Sequence, residues 1–566
     1  MTLPDHPVQT SVASRYLAQL AEHGIEHLYV NAGTDFAPLA EAYANNARAS
    51  NAAFPEPVLC AHEGVAVGMA HGAYLVSEKP QAVMFHVGVG TANAICAITN
   101  AARDNVPLLV SAGRSPILEE GMVGARDTMI HWAQEMFDQA GMLREIVKWD
   151  YELKLPLQVD QVVDRALGIA QTRPKGPVYL TLPREVLAQE MPCDLPSFKR
   201  SAIPDIGAPD PVAIEHLARR IAHAEFPLIV TSASGADRQS VSLLGTLAGR
   251  FGIGVADTSP RYLNLPFDHP MHLGLASQKL YDDADVVLYL ECDVPWIPTR
   301  MKPRDDAFIA HAGVDPMFAR YPMRSHRSDL TLAGKPSSIL SALTDALAGR
   351  LEAIPPDRAD KVRRLAARAQ QTGGSTREQD GLPVTKEFMS RMIGETLPAD
   401  AVVFNEYWGS PQHLKRTEPG SYFFLPPSGG LGWALPAALG ARHAALQTTV
   451  ALVGDGAYMF ANPAACHHAS AKHKLPVLTI IANNATWGAV DHATRGVYPE
   501  GEAVTHGERR LSDLHPVPFF EAYCQASGGY GERVETRAEL APALNRALHA
   551  VQVQGQQALL NVVCID

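Results

Sequence analysis

Apolar residues in this chain fall into two alternating kinds of stretch. Short, nearly unbroken runs, such as His27 to Asn31, Ala82 to His86 and Leu108 to Ala112, read as strands. Longer segments of helical pattern lie between and before them: Val12 to Glu22, Gly64 to Leu75 and Gly90 to Arg103. Such alternation predicts a mainly parallel sheet with helices on both faces. This first block occupies 1–190. A Pro-containing connection, Cys193-Asp194-Leu195-Pro196, leads to a second block over 200–350, whose strands Pro227 to Thr231 and Asp285 to Leu290 are again flanked by helices. A polar stretch over 351–382, with Pro355-Pro356 and Gly373-Gly374-Ser375, reads as a linker. The third block, 383–566, repeats the pattern and closes on the apolar strand Ala558 to Cys564. The expected fold is α/β, with three successive doubly wound parallel-sheet domains.

Length agrees with that division, since 566 residues exceed what one core organises. A net charge of -12 argues against a nucleic-acid surface and gives no affinity for anionic membranes. No apolar stretch approaches membrane-spanning length. The seven scattered cysteines suit a reducing compartment better than a disulfide framework. The N-terminus lacks a basic segment followed by an apolar run. These features predict a cytoplasmic enzyme.

The chemistry is concentrated in two distant places. In the third block the strand-like run Thr449 to Val453 ends in Gly454-Asp455-Gly456. After 26 further residues a second strand, Val477 to Ile481, leads to Asn483-Asn484. A carboxylate and an amide oxygen at successive strand ends, beside glycines that let backbone N–H groups approach an anion, suit Mg²⁺ bound to a diphosphate. About 390 residues upstream, His62-Glu63-Gly64 opens an apolar helix. Cys466, His467, His468 and His473 imitate a metal cluster, but they fall within one helix, where adjacent side chains point in different directions. Packing or surface roles are expected for them.

Together these elements resemble the thiamine-diphosphate (ThDP) enzymes of the acetohydroxyacid synthase and 2-keto acid decarboxylase family, over essentially the whole chain. The resemblance implies that the first domain binds the aminopyrimidine, the third the diphosphate, and that a Rossmann-like domain separates them. It implies Asp455, the Asn484 side chain and the Thr486 carbonyl as Mg²⁺ ligands, with Gly456 and Ala457 at the diphosphate. Gly409 and Ser410, in Asn405-Glu406-Tyr407-Trp408-Gly409-Ser410, would donate to phosphate oxygens. Glu63 would hydrogen-bond the pyrimidine N1′ and so assist removal of the thiazolium C2 proton. No Arg-Phe-Asp-Asp-type signature is seen, so FAD is not expected.

Several segments resemble the benzoylformate decarboxylases in particular. Within Gly420 to Pro436, Leu431 matches the aliphatic wedge that bends the cofactor, and carbonyls around Gly429 would orient its 4′-amino group. One extra residue stands within Leu425 to Ser428. In Met84 to Ala94, His86 matches an active-site histidine; in Asn31 to Phe36, Thr34 and Asp35 are both candidates to meet a substrate carboxylate. Ala489 and Val490 would line an apolar wall. Where that group has a second catalytic histidine, this chain has Asp293 to Arg300 with Trp296 and Arg300. Arg300 would instead hold a carboxylate or a CoA phosphate.

The resemblance therefore implies a ThDP- and Mg²⁺-dependent carbon–carbon lyase or carboligase, foremost a decarboxylase of an aryl or branched 2-keto acid. Acetolactate synthase-like ligation and 2-hydroxyacyl-CoA cleavage stay open, because the second histidine is missing. A catalytically silent paralogue would have lost Glu63 or a metal ligand, and both are present. The partners implied are a small-molecule substrate and a second copy of the chain, in a homodimer or homotetramer with active sites at the subunit interface. A polar stretch from Thr494 to His515, with Glu500, Glu502 and His506, resembles a lid.

Overall fold

A computed structural model describes residues 10–49, 53–191, 198–371 and 382–565. Each block is built on a six-stranded parallel sheet. In the first the spatial order is Glu56–Leu59, His27–Val30, Gln81–Phe85, Leu108–Arg114, Val178–Pro183 and Asp150–Glu152. In the second it is His272–Leu275, Gly254–Asp257, Pro227–Thr231, Val286–Leu290, Phe308–Gly313 and Leu330–Ala333. In the third it is Tyr422–Phe424, Val402–Asn405, Thr449–Gly454, Leu478–Asn483, Ala558–Val563 and Tyr530–Val534. Helices cover both faces, which is why Gln81–Phe85, Val178–Pro183 and Leu478–Asn483 are buried along their whole length. The expected doubly wound α/β architecture is the observed one.

The outer blocks are fused by two helices, Glu63–Ser77 and Ala434–Ala444. A Cβ on Gly72 would stand 1.8 Å from the Ala437 carbonyl oxygen, and one on Gly440 1.8 Å from that of Met69. Only glycine permits so close a backbone crossing. One continuous core runs through it, from Val65, Met69 and Ala73 to Leu435, Ala438 and Tyr458. This crossing sets where the two half-sites stand within one chain.

The expected linker gives way over part of its length. Residues Arg358–Gln371 form a helix that belongs to the middle block. Val362 and Ala366, one turn apart, are buried in that block's core, and the Arg358 guanidinium donates to the carbonyls of Phe251, Ile221 and Ala224. The stretch read as linker because the helix buries only a narrow apolar stripe and is charged elsewhere. Residues 372–381, including Gly373-Gly374-Ser375, and the connection at Cys193 to Pro196 lie outside the described residues.

In the middle sheet the chain winds outward in both directions from Pro227–Thr231. At that switch point a cavity of about 440 Å³ opens between the three blocks, with Arg261, Tyr262, Glu291, Arg238, Tyr74 and Asp104 among its walls. It contains none of the residues the motifs single out. No described helix is long and apolar enough to cross a membrane.

Candidate active site

The third-block half forms at the C-terminal ends of strands Val402–Asn405, Thr449–Gly454 and Leu478–Asn483. Asp455 begins the helix Asp455–Phe460 and is buried. Its two oxygens accept from the backbone N–H groups of Gly456 and Ala485, each at 2.7 Å. Burial pushes its carboxyl above the usual carboxylate range, and those N–H groups only partly offset this. A bound cation would stabilise such an anion. Asn484 stands beside it, and its side-chain oxygen accepts from Thr486 N–H at 3.2 Å. Ala485 between them takes φ +53°, a left-handed turn that curls the loop. The second asparagine of the pair, Asn483, faces inward and donates to Asn561. Hard oxygen donors on Asp455, Asn484 and the Thr486 backbone form a set that suits Mg²⁺. Among the described residues no group of three His, Cys, Asp or Glu could hold a metal. His467 is a packing residue, bonded to Tyr458 and Gln557 at 2.7 Å each.

Gly409 and Ser410 require a correction. Their N–H groups are already donated, to Asn405 Oδ1 at 2.9 Å and to the Ser390 hydroxyl at 3.0 Å. The element that follows is a single turn, Pro411–His413. These amides are therefore not free phosphate donors, and what remains at this edge is the Ser410 hydroxyl. Gly456 has likewise given its N–H to Asp455, while Ala457 lies in the first turn of the helix that opens there.

Residues 428–432 form an arch above this cradle. Gly429 and Gly432 take φ +67° and +83°, and Leu431 stands half-buried between them. Two residues that sequence reasoning did not single out hold the arch. The Asn100 amide donates to the Gly430 carbonyl at 2.8 Å and accepts from Gly430 N–H at 3.1 Å and Ser428 Oγ at 2.6 Å. The Glu406 carboxylate accepts from Gly432, Trp433 and Ala434 N–H at 2.7, 3.1 and 2.9 Å.

The first-block half is built where helices Glu63–Ser77 and Val87–Arg103 begin. Glu63 is 8% exposed, and Asn93 donates to its Oε2 at 3.2 Å. His86 is the single residue between strand Gln81–Phe85 and helix Val87–Arg103. That abrupt turn forces Val87 to φ +36°, an outlier for a β-branched residue that costs about 1–3 kcal/mol. Asp35 anchors the turn: its Oδ1 lies 2.6 Å from His86 Nδ1, and its Oδ2 accepts from Val87 N–H at 3.4 Å. The Gln134 amide nitrogen lies 3.2 Å from His86 Nε2, and Gln134 Oε1 is buried without a hydrogen-bond partner. Turned over, that amide would accept from an imidazolium Nε2–H.

Asp35 is thereby reassigned. At 3% exposure, with its oxygens engaged by His86 and Val87, it serves the histidine and is not open to a substrate carboxylate. The hydrogen bond from His86 to Asp35 raises the imidazole pKa above its ordinary value, against the opposing effect of burial. Stability from this pair is thus present in full below the unfolded imidazole value of ~6.5 and is lost as pH rises through the higher folded value. Asp35→Asn is expected to lower the His86 pKa, because the anionic hydrogen-bond acceptor is lost. Titration of the imidazole signals by NMR checks this, and an unmoved midpoint would contradict the pairing.

The remaining candidates are dispersed. Thr34 is exposed, 3.5 Å from His131 Nε2. Ala489 and Val490 lie exposed at the start of helix Gly488–Val497. Val490, Val497, Tyr498 and Leu511 border a groove on the lid-like stretch, whose far end is stitched to the metal loop by Trp487 N–H to Ser512 and Leu514 N–H to Ala485. Glu500, Glu502 and His506 are exposed on it. Arg300 is exposed, and among the described residues no hydrogen bond or ion pair ties it to either half-site. Its neighbour Trp296 is a core residue, packed against His326 and His311.

The chain matches known proteins along nearly all its length. Residues 10–142 match the N-terminal TPP-binding domain of thiamine pyrophosphate enzymes, and residues 406–562 match the C-terminal TPP-binding domain. Benzoylformate decarboxylase of Pseudomonas aeruginosa is 27% identical over 555 residues, covering 94% of this chain and 95% of that one. A sulfoacetaldehyde acetyltransferase of Rhodobacter capsulatus is 25% identical, covering 97% and 93%. Among solved structures, the thiamine diphosphate-dependent 4-hydroxybenzoylformate decarboxylase of Rhodococcus jostii RHA1 superposes with a TM-score of 0.78 at 23% identity, covering 98% of this chain and 99% of that one. Glu63 and His86 fall within one matched stretch and Leu431, Asp455 and Asn484 within the other, and the chain belongs to the thiamine pyrophosphate (ThDP) enzymes.

Proposed function

We propose that this protein is a ThDP- and Mg²⁺-dependent carbon–carbon lyase that releases CO₂ from a 2-keto acid of the benzoylformate type. The observation that carries the reading is the Asp35–His86–Gln134 hydrogen-bonded chain, anchored on the buried Asp35, beside Glu63 and Asn93. It offers an acid–base group, its pKa raised by the Asp35 hydrogen bond, next to the glutamate that the cofactor requires. Bound ThDP supplies the nucleophilic carbon and the electron sink for decarboxylation. Asp455, Asn484 and Thr486 would hold Mg²⁺, and Leu431 with the Gly429 carbonyl would shape and orient the cofactor rings. Glu63 would hold a proton at the pyrimidine N1′. His86, its imidazolium form favoured by Asp35, would deliver a proton to the product carbon.

Acetolactate synthase-like carboligation, in which the decarboxylated fragment forms a carbon–carbon bond to an acceptor carbonyl, is the second reading. Cleavage of a 2-hydroxyacyl-CoA is the reverse kind of bond change and would show as turnover of that thioester alone. What favours the second reading is that the middle-block stretch matched to the region of a second histidine, Asp293 to Arg300, holds no histidine, with Trp296 in the core and Arg300 exposed. Purified protein loaded with ThDP and Mg²⁺ and offered a panel of aryl and branched 2-keto acids, with and without acceptor aldehydes, separates the two. Aldehyde and CO₂ without an acceptor support the lyase, and turnover that needs an acceptor supports the ligase.

We further infer a dimer in which Glu63 of one copy serves the metal loop of the other. Among the described residues, no hydrogen bond or ion pair joins Glu63, Asn93 or His86 to Leu431 or Asp455 within one chain. Val89, Met129, Trp132 and Phe137, from the same block, are exposed large hydrophobics that a second copy would cover. On dilution, ThDP-dependent turnover is expected to fall in step with the dimer fraction measured by analytical ultracentrifugation. A fully active monomer would overturn this arrangement.

A further inference from the structure

The arch over residues 428–432 is pinned from two sides by groups that come from elsewhere in the fold. Glu406 is fully buried at the end of strand Val402–Asn405, and all three of its hydrogen bonds go to consecutive N–H groups beginning directly after Leu431. Trp433, the residue at the cap position of helix Ala434–Ala444, makes no side-chain capping bond. The carboxylate therefore replaces a local cap from 26 to 28 residues upstream. Asn100 arrives from the first block, 330 residues away, and uses both ends of its amide on Gly430, its oxygen also accepting from the Ser428 hydroxyl.

The arch is closely packed at Gly430 and Gly432. A Cβ on Gly430 would stand 2.7 Å from Asn100 Oδ1 and 2.8 Å from Cys96 Sγ, and one on Gly432 would meet the backbone of Phe460 and Ala461 at 2.5 Å. Tyr407, next to Glu406, takes φ +80°, which tyrosine adopts only under constraint, and its hydroxyl reaches the arch at Gly429. The strain accompanies the inward turn of Glu406. Between the two pins stands Leu431, flanked on both sides by residues whose N–H groups are held.

We propose that Glu406 and Asn100 are positioning residues that preorganise the arch, so that Leu431 and the Gly429 carbonyl meet the cofactor rings without rearrangement. The proposal rests on the ThDP reading above and adds to it the groups that set affinity for the ring end of the cofactor. Ordering a loop at the moment of binding weakens affinity, and a loop held in place beforehand avoids that loss. Asn100 shares its helix with Asn93, two turns earlier, which holds Glu63. One helix thus carries both the clamp on the arch and the residue that holds Glu63.

Two substitutions test the idea, with two readouts. Glu406→Gln keeps the shape but turns an NH₂ group towards one of three backbone donors; Asn100→Ala removes the cross-block clamp. In the cofactor-free protein, hydrogen exchange at the Gly430, Gly432 and Trp433 amides is expected to accelerate about tenfold or more in both variants, with strand Leu478–Asn483 unchanged. ThDP affinity, titrated with Mg²⁺ by tryptophan fluorescence, is expected to fall ~10- to 100-fold for Glu406→Gln and about tenfold for Asn100→Ala. If Glu406→Gln does not fold, Asn100→Ala decides. Faster exchange with wild-type ThDP affinity would reduce both residues to a structural role and overturn the proposal, as would unchanged exchange. A wild-type protein that takes up no ThDP would sink the functional reading itself, before any substitution is made.

Discussion

Glu63→Gln is expected to retain ThDP and Mg²⁺ but to exchange the cofactor's C2 proton roughly 10²–10⁴-fold more slowly, the contribution typical of a positioned acid–base group. Glu63 opens helix Glu63–Ser77, where the helix dipole favours its negative charge. It is almost fully buried, fixed by Asn93 at Oε2, with Gly90 packed against Oε1. A glutamine has the same shape and can keep a bond to Asn93 after turning its amide, so fold and cofactor affinity should persist. It cannot share a proton with N1′ as a carboxylate does. Quenched-flow exchange of the C2 proton followed by NMR measures this directly, and normal exchange in the variant would remove Glu63 from its role.

A loss of a different kind is expected for Asp455→Ala: metal-dependent ThDP binding should weaken by more than about 100-fold, the upper end for disturbing an outer-shell partner of a metal ligand. The side chain does two jobs. It would supply the single carboxylate of the metal set, and it holds Gly456 and Ala485 N–H across the two strand ends. Without it the left-handed turn at Ala485 loses its anchor, and Asn484 and Thr486 lose their placement. Isothermal titration with ThDP, with and without Mg²⁺, is the check. Wild-type affinity, or affinity independent of Mg²⁺, would show that the metal lies elsewhere.

The contrast between these residues and the corrected ones is physical. Asp455 and Asn484 are legible because each ends a strand of the same parallel sheet, so local pattern and spacing suffice to bring them together. Glu63 is legible as the first residue of an apolar helix. Gly409 and Ser410 were expected as phosphate donors on equally local grounds, yet the partners that occupy their N–H groups include Ser390, on a separate helix. The helix Arg358–Gln371 was hidden by its charge, since one buried stripe in a polar segment gives little signal.

By itself, then, the sequence determined the α/β class and the three parallel sheets, and it located the Gly454-Asp455-Gly456 turn and the helix start at Glu63, because strand runs, helix starts and glycine turns are properties of contiguous residues. Only the tertiary structure decided that Asp35 turns inward to His86 and that Gln134 closes that chain. It alone brought Asn100 and Glu406 under the arch, although Asn405-Glu406 stood inside a motif already singled out and Asn93 and Asn100 lie two turns apart on one helix. A buried polar group takes whichever partner the packed elements bring within about 3 Å, and leaving it unpaired costs about 1–3 kcal/mol. Which partner that is depends on crossings such as Gly72 on Ala437, made between residues hundreds of positions apart, and no local pattern encodes them.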